Sequence, residues 1–239
     1  MSVVTSFTTD QIASLTTQQV VTITTADFAA LNSDQIGALS TLHASVLSST
    51  QLGAIATSTL TSLGTEDIAA LSSNALAGLK TSQIKVLTTD QVVALTTNQA
   101  GALSTLQVAS LTTDAITVLE TSDFAALKTS AIAGLTSVQI RALTTDQIVA
   151  LTTSGANALT TAQVSNLSTD AIAAMQTADI AALKTAAVAS LSSTQVGALT
   201  TDQVKALTTA TLVALSTSNI ANGLTTDQIV AMSSAQFAA

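Results

Sequence analysis

Large apolar residues recur at two places in an eight-residue unit along nearly the whole chain. The stretch LTTDQIVA (143–150) shows the unit, with Leu143 at position one and Ile148 at position six. Octads begin at Phe7 and at every eighth residue to Leu215. Gly223 is then one inserted residue, and two more octads start at Leu224 and Met232, giving 29 octads after a six-residue lead. Position one is always Leu, Ile, Phe or Met. Position six is apolar throughout and shrinks to Ala only at Ala44, Ala100 and Ala156. Position three is Thr or Ser in every octad. Such internal periodicity is the mark of a repeat architecture.

One long helix cannot carry this pattern. Eight residues advance about 800° at the helical pitch, so each repeat would rotate the apolar stripe by about 80°. A single strand fails too, because positions one and six have opposite parity and face opposite sides. A short helix in each octad fits. The position-three hydroxyl is the expected N-cap, leaving positions four to eight as little more than one turn. The other register is a capping box from position two to a position-five Gln, such as Thr144 to Gln147. Position three is preferred, because position two admits Lys80, Lys128, Lys184 and Gly64, mostly poor caps. Residues Ile148 and Leu151 then share a face, three apart.

Charge placement supports helices independently. Nine of the 14 acids occupy position four: Asp10, Asp34, Glu66, Asp90, Asp114, Asp146, Asp170, Asp202 and Asp227. Asp27, Asp67, Asp123 and Asp179 occupy position five, and only Glu120 lies elsewhere. The six bases sit at position two (Lys80, Lys128, Lys184) or position seven (Lys85, Arg141, Lys205). Acids at helix starts and bases near helix ends follow the macrodipole. Helices this short are unstable alone and must stack on one another. The expected fold is therefore an all-α solenoid of very short helices, one per octad, with positions one and six inward. Ala and Gly at positions seven and eight would allow close approach.

A longer period overlies the short one. LGTEDIAALSSNALAG (63–78), LETSDFAALKTSAIAG (119–134) and MQTADIAALKTAAVAS (175–190) lie 56 residues apart. Seven octads thus form a larger unit, near 31–86, 87–142 and 143–198, with a partial 199–239. Duplication of such a unit explains this, as do two superhelical turns of three and a half octads. Three to four octads per turn are expected. The organisation expected is a lead over 1–6, frayed or strand-like, and a single solenoid over 7–239. Gly223 is expected to be a left-handed helix C-cap, or to mark where the last two octads turn to cap the array. Phe237 would shield the exposed end. Leu42, at the usually polar position four, would fill the gap left by Ala44.

Composition narrows the functional classes. The net charge is −8 and the pI about 4.1, which opposes nucleic-acid and anionic-membrane binding. Only 8% of residues are charged, so the solvated surface is largely Thr, Ser, Gln and Ala. There is no Cys, hence no disulfide or thiolate metal site. No run reaches membrane-spanning length. Met1 to Ser6 lacks the charged start and apolar run of a secretory signal, so export would need another route, such as a C-terminal signal.

No catalytic constellation emerges, and no enzyme, cofactor or metal is expected. His43 is the only histidine and stands where Gln is usual, at position five, with no acid or nucleophile near it in sequence. It reads as a solvated or hydrogen-bonded side chain rather than a ligand. Acids spaced by 24 residues, such as Glu66, Asp90 and Asp114, could line up as a calcium ladder. The loops rich in Gly and Asn that calcium repeats use are missing, so helix-start electrostatics is the preferred reading. Regular Thr rows would suit an ice-ordering β-solenoid, the alternative fold, but the scarcity of Gly and Asn turns opposes it.

LTTDQVVALTT (87–97) resembles the opening of a TAL-effector repeat, whose units also begin with a capped helix. The much longer unit, base-reading pair and basic character of that family are not found here. The resemblance implies shared helix-cap chemistry and no nucleic-acid binding. The Thr-, Ala- and Leu-rich, Cys-free, acidic array is also similar to repeat regions of bacterial exported surface proteins. That similarity implies an extracellular or cell-surface protein. The expectation is a structural, self-assembling repeat protein of a filament, surface layer or adhesin stalk, not inserted in membranes. The alternative is a binding module presenting a repetitive face to peptide, glycan, ice or calcium.

Overall fold

The computed structural model describes residues 4–238. They fold into 29 short α-helices, one for each octad, preceded by a 3-10 turn at Val4–Ser6; no strand occurs among the described residues. The fold is an all-α solenoid, and the β-solenoid alternative is excluded. Val4 to Ser6 is helical rather than strand-like, and the rest of the lead lies outside the described residues.

Each helix starts at position three and runs for four to seven residues, as in Thr81–Ile84 and Thr217–Gly223. This corrects the capping register. The N-cap is position two, and position three is the first helical residue. Thr144, for example, is extended at φ −75°, ψ 157°, and its hydroxyl accepts the Gln147 N–H. Gln147 Oε1 in turn accepts the Thr144 N–H, closing the capping box. Where position two cannot cap, half of the box persists. The Lys80 N–H donates to Gln83 Oε1 at 2.8 Å, and the Gly64 N–H to Asp67 Oδ2 at 3.1 Å. Poor caps are tolerated at position two because the other half of the box comes from position five.

The corner between helices needs no special residue. Leu199 ends one helix at φ −59°, ψ 139°, and Thr200 caps the next at φ −71°, ψ 159°. Two consecutive extended residues turn the chain, and no described residue has positive φ. Such corners suit any L-residue, which explains how the chain turns at every octad with so little Gly and no Pro.

Two compact units divide the chain, Met1–Lys128 and Thr129–Ala239. Within each, a helix packs on the one three octads away. Thr97–Ala102 lies against Thr121–Ala126 in the first unit, and Ser193–Ala198 against Thr217–Gly223 in the second. Each coil thus closes after three to four octads. Positions one and six form its core: Phe28, Ile68 and Ile116 in the first unit, and Ile172, Val188 and Val204 in the second, are buried. Small residues at positions seven and eight let coils approach closely. A Cβ on Gly53 would sit 2.6 Å from the Gly78 carbonyl oxygen.

Three finer expectations are corrected. Gly223 has no left-handed φ; it is the last residue of helix Thr217–Gly223, lengthened by the insertion. It is glycine because a Cβ would meet the Ser193 carbonyl oxygen at 2.9 Å. Leu42 does not fill the space beside Ala44 but is 69% exposed, as position four is throughout. Phe237, 66% exposed, shields nothing.

Candidate functional site

The device that dominates the interior is a ladder of buried glutamines at position five. Gln83, Gln99, Gln163 and Gln203 are each at most 3% exposed. Gln203 shows the chemistry. Its Oε1 accepts the Thr200 N–H at 2.8 Å. Its Nε2 donates to the Ile172 carbonyl at 2.9 Å and the Met175 carbonyl at 2.6 Å, 31 and 28 residues earlier. One side chain therefore closes the start of its own helix and the end of a helix in the preceding coil. The same pair of reaches recurs at Gln83, Gln91, Gln99 and Gln107 in the first unit. It recurs at Gln163 and Gln195 in the second. A buried amide left without these partners would be costly, so each rung fixes the register of one coil on the next.

The spacing alone suggested the box but not the ladder. The missed signal was distributional: 15 of the 17 glutamines occupy position five, a concentration that a merely solvated residue would not show.

His43 is a rung of the same ladder. It is 3% exposed, so buried and hydrogen-bonded rather than solvated. Nδ1 accepts the Ser40 N–H at 3.2 Å, which places the proton on Nε2, 2.7 Å from the Leu15 carbonyl 28 residues earlier. The neutral imidazole supplies one acceptor and one donor, as the glutamine amide does.

Aspartate at position five cannot do this. Asp123 and Asp179 are each 2% exposed. They accept from position-three hydroxyls 26 residues earlier: Thr97 Oγ1 to Asp123 Oδ1 at 2.7 Å, and Thr153 Oγ1 to Asp179 Oδ1 at 2.9 Å. Asp179 Oδ2 has no partner. Burial raises the Asp179 carboxyl above the ordinary carboxylate value, and the Thr153 hydroxyl only partly offsets it. Asp67 is raised by burial first, against the lowering pull of the Gly64 N–H; Glu66 adds to the rise and His43 opposes it.

The position-four acids lie on the exposed side. Asp90 and Asp114 start helices that pack together, Thr89–Val93 and Thr113–Thr117. Among the described residues no three His, Asp or Glu side chains converge as a metal site. No helix of the described residues is long and apolar enough to cross a membrane. The structure brings together the position-five side chains as a ladder, and it does not bring acids, His43 and hydroxyls into a catalytic group.

No curated protein matches the chain. The family model described as the ALTTAQ repeat matches residues 60–97, 116–153 and 172–209, three segments whose starts fall 56 residues apart, so that what the chain is similar to is a short-repeat sequence in the same seven-octad period that its alanines and aspartates mark.

Proposed function

We propose that this chain is a structural, self-assembling repeat protein of a bacterial extracellular filament, surface layer or adhesin stalk. The observation that carries the reading is the glutamine ladder. One interlocking contact, built from one side chain per octad, is reused along the array, and nothing in it sets a final coil. Around that interior the solvated positions two to four hold rows of Thr and Ser with few charges, a surface suited to weak repeated contacts rather than to one ligand. The shared short-repeat composition of exported surface proteins supports the extracellular placement.

The test is the state of the purified chain over a wide concentration range. Light scattering should show growth beyond the 23.8 kDa monomer, and negative-stain microscopy should show extended particles. A strict monomer at high concentration, in low and high salt, rejects the proposal.

A further inference from the structure

We infer that copies of this chain add end to end, the first coil of one seating on the last coil of another, with the glutamine ladder continuing across the junction. The inference rests on the self-assembly reading and specifies its surface.

The two end coils expose opposite halves of the interior contact. In the first coil the core is complete: Ile12, Val20 and Phe28 at position six are each 0% exposed. What lies open there is position five. Gln11 and Gln19 are exposed, and their Oε1 atoms accept the Thr8 and Thr16 N–H groups at 2.9 and 2.8 Å. Among the described residues their Nε2 groups have no acceptor, although in later coils the same atom always seen donating reaches two carbonyls. In the last coil the position-five rungs Gln228 and Gln236 are buried and bonded to the coil before. What lies open there is position six. Ile220, Ile229 and Phe237 are 39%, 37% and 66% exposed, against 0% for Val196 and Val204 one coil earlier. With Leu212, Leu215 and Met232 they line a groove of about 430 Å³.

One end thus presents amide donors and the other presents an apolar floor with helix-end carbonyls. Each interior coil joins these same two halves. Continuing the register past Gln236, which bonds Val204 and Leu207, places the next pair of acceptors at the Leu212 and Leu215 carbonyls, where Gln11 of a second copy would donate. The contact is heterologous and does not close on itself, so it propagates as a linear chain. An exposed apolar patch of this kind on a repeat array is a place for another repeat to stack.

The test blocks each end separately in the full chain. Gln11→Glu with Gln19→Glu keeps the capping oxygens but replaces each amide donor with a carboxylate facing carbonyls. Ile229→Asp with Phe237→Asp charges the apolar floor. Circular dichroism and thermal melting should match the parent for both, since all four side chains are exposed. Each blocked protein alone should stay at 23.8 kDa in sedimentation velocity, weakening association roughly a hundredfold. Mixed together they should form a one-to-one dimer and nothing larger, because each supplies the half the other lacks. If the Gln11/Gln19 variant dimerises alone, the last coils pair with each other and the inference falls. Parent assembly that survives both variants overturns the end-on contact while leaving self-assembly standing. A parent that never assembles overturns both.

Discussion

Two neighbouring helices of the second unit, Thr177–Ala182 and Thr201–Ala206, pack against each other and share a backbone plan, yet their position-five residues do opposite things. Gln203 is satisfied at both ends of its amide. Asp179 is as deeply buried, has one oxygen without a partner, and offers no donor to the Ile148 and Leu151 carbonyls 31 and 28 residues before it. That helix is held differently. Gln176, at position two, donates to the Val149 carbonyl at 2.8 Å, and Thr153 donates to the carboxylate. The difference teaches that the solenoid needs a donor from each octad to the coil before it, but not always from the same position. A carboxylate at position five shifts that duty to its neighbours and adds a buried charge.

The comparison breaks most decisively at the glutamine. Gln203→Leu keeps the volume but leaves the Thr200 N–H without its side-chain acceptor and two carbonyls without a donor. The expected loss is about 3 kcal/mol of stability, read by urea unfolding, from buried groups losing partners. An unchanged midpoint would mean that the ladder is incidental to the packing.

The next effect has the opposite sign. Asp179→Asn removes a buried charge and adds a donor, and should stabilise the fold at neutral pH by about 1–2 kcal/mol. A carboxyl whose folded pKa lies above its unfolded value contributes stability below the unfolded value, and that contribution is lost as pH rises through the folded one. Burial raises Asp179 in this sense. The stability difference between variant and parent should therefore be small near pH 4 and should widen toward neutrality. A difference that is constant with pH would mean that Asp179 is ionised throughout.

The smallest effect tests whether His43 is a rung at all. His43→Gln should change stability by less than about 0.5 kcal/mol, because the amide makes the same two bonds. His43→Ala, which makes neither, should cost more. Equal losses in the two variants would show that the imidazole is held by shape and not by hydrogen bonding.

Much of this architecture was legible in the sequence. The incompatibility of an eight-residue period with one long helix, the acids at Asp90 or Asp146, and the apolar pairs such as Ile148 and Leu151 led to short helices and to the right inward positions. The capping register was read one residue late. Lys80 and Gly64 looked disqualifying at position two, and nothing local shows that Gln83 and Asp67 supply the missing half of the box. The long reach of Gln203 was hidden for a different reason. A polar side chain at a fixed place in a short helix looks solvated until the coil beneath it is known, and that distance depends on how many octads make a turn. Leu42 misled in the opposite sense, as an apolar side chain left in water.

The ladder also sets the step by which the gene for such a protein can change length. Removing or adding whole octads slides later glutamines along the array, yet each still looks down on a helix end of the same kind. A deletion of any other size would set amides opposite side chains instead of carbonyls for the following coil. The extra residue at Gly223, absorbed by lengthening one helix so that Gln228 and Gln236 reach back 29 and 32 residues rather than 28 and 31, shows what an exception demands. Slippage in units of eight codons is therefore the mutation this fold forgives.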